Sequence, residues 1–395
     1  MSAKWTILVY MKADDGLAAA ALANIEDMCK VAIDPHLHVV VQLQTRVGTT
    51  ARYRIRHGEP ERTPLHGNVN MGDPKTVTEF VDWARGAYPA ERTALVVWGH
   101  GGGWEDEVAD ERLGSRPSSV RTKEQIGHRR RLKSYLTDKE LRQAIAQTRG
   151  KRVDLLGFDA CEMAMLEIAG ELREVASVMV ASEGDIPVES WPYEKLLSHL
   201  AKKPDLEPTD FARVVVGDYD HAYHATAETK PFAISAVDFA SVEALREAID
   251  ALSQELLTHL PNARSAIAEA RDATYTLRNT DYVDLASLIE ELERRLKGDA
   301  FSASVRRVRA ALDVTRIPNQ KGAAAPRPGT LSVYFPTSRT PSPLYLAEYG
   351  RLHDTPWAKF LREFFRPARA GLVSTGVHRR DDVAPVRTRR PASSR

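Results

Sequence analysis

Two stretches decide how this chain folds: TALVVWGHGGGW at residues 93–104 and VDLLGFDAC at residues 153–161. Each opens with a continuous apolar run of strand length. Apolarity that does not alternate marks a strand covered on both faces, as in a parallel sheet with helices on each side. Each run then ends on residues that a buried strand does not need. His100 falls where strand 93–98 gives way to a glycine-rich turn, and Cys161 falls between strand 153–158 and the first turn of a following helical pattern. Ligand crevices in open parallel sheets lie at the carboxyl ends of the strands. If the two strands are neighbours, His100 and Cys161 face each other across that crevice.

The rest of the first 240 residues repeats the pattern. Strands are expected near 5–10, 38–43, 177–181 and 232–237, and helices near 17–31, 75–88, 137–148, 161–174 and 209–224. Thr137 and Glu140 have the spacing of a capping box, which fixes the start of the third helix. Beyond residue 240 long amphipathic helices take over, at about 240–260, 281–296 and 301–314, followed by a strand-like TLSVYFP at 330–336 and a helix near 355–366. This predicts an α/β core over 1–240, a mainly helical part with one late strand over 241–366, and a basic, disordered tail over 367–395. The linker 316–329, rich in Pro, Gly and Ala, is the clearest late break.

Composition narrows the function classes. The 395 residues are 43% hydrophobic and 28% charged, a globular composition, and no apolar run approaches the roughly 20 residues of a bilayer helix. The two cysteines, Cys29 and Cys161, cannot form a disulfide framework, and no signal-like segment precedes the run at Trp5, so a cytoplasmic location is expected. The 55 basic and 54 acidic residues balance overall but are unevenly spread. Residues 112–133 carry eight Arg or Lys against one Glu, residues 366–395 carry eight Arg against two Asp, and the remaining 343 residues are left at net −12.

A cysteine and a histidine at adjacent strand ends suit acyl transfer. A helix N-terminus and a nearby imidazole favour thiolate over thiol, and the imidazole can protonate a departing amine. Glycines around His100 let the backbone approach a ligand, so the N–H groups of Gly101 and Cys161 can point at a developing oxyanion. The plainer readings are a small buried cysteine, which fits Cys29, and a histidine in an ordinary turn. HGGG also serves as an oxyanion element in α/β-hydrolases, but the chain has no GxSxG elbow; HExxH, GxGxxG and GxxxxGK are absent too. His221 and His224 are too few for a zinc site. The basic segments lack the interleaved aromatics of a single-strand platform, which disfavours nucleic-acid binding.

These residues resemble the clostripain family of cysteine peptidases, in the caspase-like clan with caspases, gingipains and legumain. The resemblance rests on WTILVYMKADDGL at the start, VVWGHGGGW around His100, DLLGFDACEMAMLEIAGELR around Cys161 and VMVASEGDIPVESWPY after it, with YVDLASLIEEL and GTLSVYFP further on. It implies a caspase-like α/β fold, with a mostly parallel sheet flanked by helices, and an endopeptidase that cleaves after Arg or Lys. It also implies a His100–Cys161 dyad, an oxyanion hole at Gly101 and Cys161, and Asp159 as the acidic residue of the first specificity pocket. A helix-capping role is the structural alternative for Asp159. Glu183, Asp185 and Glu189 are secondary pocket candidates.

One departure stands out: Val188, Glu189 and Ser190 replace the family's usual glycines between the proline and the tryptophan, which puts the Arg preference in doubt. The chemistry requires no cofactor, although the resemblance allows calcium. The expected partner is a peptide with a basic residue before the cut bond, with neither membrane nor nucleic acid involved. The family also implies self-processing in the loop after the histidine, where Arg112, Arg116, Arg121, Lys123, Arg129, Arg130 and Arg131 are candidate sites. An inactive caspase-like scaffold, or a nucleic-acid-binding protein using its basic segments, is the alternative.

Overall fold

A computed structural model describes residues 3–366 apart from 14–15, 33–34, 47–48, 68, 106–135, 225–232, 277, 318–330, 338–339 and 349–354. The basic loop 112–133 and the tail 367–395 therefore lie outside the described residues. Residues 1–365 form one compact unit.

Its centre is a nine-stranded sheet. The strands are β1 (Ala3–Lys12), β2 (Leu37–Gln44), β3 (Thr50–Arg54), β4 (Glu61–Pro64), β5 (Ala90–Trp98), β6 (Val153–Asp159), β7 (Ala176–Ser182), β8 (Ile234–Asp238) and β10 (Arg316–Ile317), in the spatial order β10-β8-β7-β6-β5-β1-β2-β3-β4. The five central strands, from β7 to β2, run parallel, and both ends of the sheet are antiparallel. The mostly parallel sheet expected from the apolar runs is thus present. Sequence reading did not find β3 and β4, whose short, polar segments carry no buried run; β4 is exposed along its whole length.

Helices cover both faces. On one lie α1 (Ala18–Cys29), α5 (Tyr193–Lys202) and α6 (Pro208–Tyr223), packed on Ile7, Val9, Val96, Leu155 and Val180. On the other lie α2 (Pro74–Ala87), α3 (Asp138–Gln147), α4 (Leu166–Leu172) and the long α7 (Val242–Asp272), packed on Leu8, Leu95, Val97, Leu156, Phe158 and Met179. Odd and even residues of the strands thus feed two separate cores, as the pleat demands. The strand β8 is antiparallel because two helices, α5 and α6, separate it from β7. The chain crosses the face twice and returns to the sheet heading the other way.

Thr137 and Glu140 form the reciprocal capping box at the start of α3: Glu140 N–H donates to Thr137 Oγ1 at 3.3 Å, and Thr137 N–H donates to Glu140 Oε2 at 3.1 Å. The helix expected to stop near residue 260 continues through Pro261 to Asp272. A proline costs a helix one hydrogen bond and crowds the preceding turn, but here Leu256, Leu260, Ile267 and Ala270 stay buried on either side of it.

The C-terminal part then builds a small antiparallel pair of β9 (Tyr282–Asp284) and β11 (Ser332–Tyr334), with α8 (Leu285–Arg295), α9 (Asp299–Thr315), α10 (Pro343–Glu348) and α11 (Pro356–Phe365) around it. Val283, Leu288, Val305, Val333 and Phe360 join the same core as Phe158 and Leu245.

Candidate active site

The ends of β5 and β6 meet in register. Trp98 pairs with Asp159, and Gly99 N–H donates to the Asp159 carbonyl at 3.3 Å. His100 and Cys161 each stand two residues beyond that pair, on adjoining turns. The turns touch through Gly101: a Cβ there would lie 2.3 Å from the Cys161 carbonyl oxygen and 2.9 Å from its nitrogen. Only glycine lets the two backbones come this close. Gly103 is fixed by its φ of +71° and by Tyr282, whose ring would be 2.5 Å from an added Cβ, and the Tyr282 hydroxyl donates to the Gly102 carbonyl at 2.8 Å. Trp104 closes the turn by packing edge-on to Tyr334 and Tyr345 from the C-terminal part.

The cysteine turn differs from the sequence expectation. No helix starts at Cys161; α4 begins only at Leu166. Glu162 adopts a left-handed φ of +61°, and residues 162–165 are captured by strand partners. Glu162 N–H donates to the Gly184 carbonyl, Ala164 N–H to the Ser182 carbonyl, and Ser332 N–H to the Ala164 carbonyl, at 3.0, 2.8 and 2.9 Å. Helical backbone cannot make these contacts. The thiol therefore has no helix N-terminus to favour its charged form, and Asp159 caps no helix.

Burial pushes the Cys161 thiol up to about 11, Asp185 adds to the rise, and the Ile186 N–H and Arg278 work against it. The Ile186 N–H donates to Cys161 Sγ at 3.3 Å. At neutral pH the sulfur of the free protein is a thiol. Cys29 is buried at the end of α1.

Asp159 is 3% exposed and points to the α5–α6 side of the sheet. Its Oδ2 accepts from the Ser190 hydroxyl, from the Trp191 N–H at 3.2 Å and from the Tyr193 hydroxyl at 2.8 Å. Its Oδ1 is buried and has no hydrogen-bond partner among the described residues. Burial raises the carboxyl to about 6, although all three donors oppose the shift. The Ser190 hydroxyl also accepts from Trp98 Nε1 at 2.7 Å, while Ser190 itself holds a φ of +72°. This is one of the three positions where serine, valine or glutamate replaces a glycine of the motif. The left-handed conformation explains why glycine suits the position, and the two side-chain hydrogen bonds explain how serine is tolerated.

The three secondary candidates separate. Glu183 is 4% exposed, and Glu189 is exposed, with its carbonyl accepting from Asn24 Nδ2 at 3.1 Å. Asp185 is exposed and pairs with Arg278 Nη1 at 3.1 Å. Exposed pairs of this kind contribute about 0–1 kcal/mol to stability. Sequence reading missed Glu162, Ser190 as a ligand of Asp159, Tyr193, Arg278 and Tyr282. Only Ser190 gave a signal, as a departure from glycine. Among the described residues, no group of three or more His, Cys, Asp or Glu side chains is placed to hold a metal ion, and no helix is long and apolar enough to cross a membrane. His221 and His224 lie at the end of α6.

Known proteins share this architecture. The chain is 23% identical to clostripain of Hathewaya histolytica over 332 residues, which are 68% of this chain and 59% of that protein. It therefore spans about three-fifths of the length of clostripain. Among solved structures, a secreted C11 cysteine protease of Bacteroides thetaiotaomicron superposes with a TM-score of 0.66 at 14% identity, covering 92% of this chain and 100% of that one. An inactive zymogen C11 protease of Parabacteroides distasonis superposes with a TM-score of 0.63 at 17% identity, covering 92% and 99%. At such identities the superpositions speak for the fold, which is the caspase-like one the sequence implied. The family model described as Clostripain family, Peptidase C11, matches residues 9–362, and the chain belongs to that family.

Proposed function

We propose that the protein is a cysteine endopeptidase that hydrolyses peptide bonds after Arg or Lys through a His100–Cys161 dyad. The observation that supports the reading is the abutment at Gly101 of the turn that carries His100 and the turn that carries the half-buried Cys161, at the carboxyl ends of adjacent parallel strands. Because burial keeps the free sulfur a thiol, the thiolate forms by proton transfer to His100 once substrate is bound. Cys161 Sγ then attacks the carbonyl carbon, and the N–H groups of Gly101 and Cys161 receive the developing oxyanion. His100 returns the proton to the leaving amine, leaving a thioester that water hydrolyses.

Asp159 supports the basic preference. It is a buried carboxyl whose second oxygen has no donor among the described residues, two residues before Cys161 at the end of β6. A guanidinium or ammonium group supplies that missing donor with a charge-assisted hydrogen bond. Glu183 and Glu189 border the same loop, and Asp185 is already paired. Cleavage after Arg should rise with pH through about 6 as Asp159 ionises.

The basic loop 112–133 follows the histidine turn and offers cleavable residues to such a site, which supports self-processing. The Parabacteroides distasonis protein was solved as a zymogen.

The direct test is turnover of fluorogenic peptides ending in Arg, Lys or Asp by wild type and Cys161→Ala. Cleavage after Arg or Lys by the wild type alone is expected. No Cys161-dependent cleavage of any peptide by folded, reduced protein would overturn the reading.

A further inference from the structure

The start of β9 and the residues just before it tie the two halves of the site together. Tyr282 reaches the histidine turn at the Gly102 carbonyl. Asn279 N–H donates to Glu162 Oε1 at 2.8 Å, on the cysteine turn. Between them in function, if not in space, Arg278 pairs with Asp185 on the loop after β7. The dyad and the acidic pocket do not require this segment, yet it contacts every turn that builds them.

The surroundings of the thiol are acidic. Asp159 and Glu162 flank it in sequence, and Glu183 and Asp185 come from the loop after β7. His100 comes from the adjoining turn, Tyr219 from α6, and Arg278 from the segment before β9. Arg278 is the cation whose charge is felt at both Cys161 and Glu162. Glu162 is buried, with its carboxyl raised to about 7 by that burial while Arg278 and the Asn279 N–H oppose the rise. Asp185 disfavours a negative charge on the sulfur, and Arg278, paired with Asp185 at 3.1 Å, offsets that effect.

We propose that Arg278 is a positioning residue that keeps the Cys161 sulfur reactive, by holding Asp185 in an ion pair directly beside Ile186, whose N–H donates to the sulfur. The inference rests on Cys161 being the nucleophile and adds a residue from the C-terminal part to its control. Arg278 touches no reacting atom. It acts through the charges beside the sulfur, so a lysine can replace it in part and a neutral residue cannot.

The test reads the thiol itself rather than turnover. Iodoacetamide alkylation of Cys161 is followed against pH, with Cys29 resolved separately by peptide mass spectrometry, in wild type, Arg278→Gln, Arg278→Lys and Asp185→Asn. Circular dichroism reports the fold of each. For Arg278→Gln we expect the midpoint to move up by about half a pH unit, or roughly threefold slower alkylation at a fixed pH below it. Arg278→Lys should recover most of the loss, and Asp185→Asn should shift the midpoint down. An unchanged profile in Arg278→Gln, an equal change in Gln and Lys variants, or no downward shift in Asp185→Asn would each overturn the proposal; the last remains readable if Arg278→Gln does not fold. Peptide cleavage is scored separately: shifted alkylation in a protein that cleaves nothing would overturn the peptidase reading and leave the role of Arg278 standing.

Discussion

The end of β6 and the loop after β7 treat negative charge in opposite ways. At the end of β6, Asp159 is buried, holds three donors on one oxygen and leaves the other without a partner among the described residues. After β7, Asp185 is exposed and already paired with Arg278. In the sequence Asp159 was the first candidate for binding a basic side chain and Asp185 a secondary one. The structure separates them by solvation. An unfilled buried carboxylate has much to gain from a cation, whereas an exposed and paired one must first give up water and a partner. The proposed binding anion is therefore marked by what it lacks as well as by where it stands.

The sharpest way to break this comparison is Asp159→Asn. It keeps the shape and removes the charge, so kcat/KM on Arg substrates should fall about 100-fold or more, in line with the loss of a buried charged partner. Alkylation of Cys161 should survive largely intact. Equal loss of both would reassign Asp159 to structure.

Glu167 sharpens the same point away from the strand ends. It is fully buried in α4, and its Oε1 accepts from the Tyr334 N–H at 2.9 Å and the Tyr345 hydroxyl at 3.0 Å. Its Oε2 has no partner among the described residues. Burial lifts its carboxyl to about 7 against those donors. A raised carboxyl binds more protons folded than unfolded, so its ionisation costs stability as pH climbs from about 4.5 through about 7, and the cost persists above that. Glu167→Gln should therefore stabilise the protein by about 1–2 kcal/mol at pH 8 and by almost nothing near pH 4. Thermal melts at the two pH values check this. A uniform loss at both would show that Gln cannot replace the buried acid.

The smallest effect belongs to Ser190. Ser190→Ala removes hydrogen bonds to Asp159 and Trp98 while keeping a β-carbon at a φ of +72°, and should cost about 1–2 kcal/mol in denaturant melts. Ser190→Gly loses the same bonds but relieves the backbone, so it should be less destabilising by about 1 kcal/mol. If alanine and glycine are equal, the left-handed backbone carries no strain.

Much of this molecule is legible in its residues. The apolar runs ending at Trp98 and Phe158 locate the central strands, because only a strand covered on both faces carries uninterrupted apolarity. The Thr137–Glu140 spacing locates a helix start, because that motif is local. The turns after β5 and β6 could be paired because parallel strands align their ends. Elements without a buried run, such as β3 and β4, left no mark, and neither did a helix that continues through Pro261.

What tertiary structure alone decided concerns residues whose partners lie far along the chain. Local pattern placed a helix start at Cys161, yet hydrogen bonds to Ser182, Gly184 and Ser332 hold that turn extended. Asp159 takes its character from Ser190, Trp191 and Tyr193, and the sulfur takes its surroundings from Asp185 and Arg278. Periodicity and motif spacing report the faces an element must bury, since these follow from chain geometry over a few residues. Ionisation and strain depend on which distant groups burial brings within a few ångströms, and that is settled only when the sheet closes and the C-terminal part packs onto it.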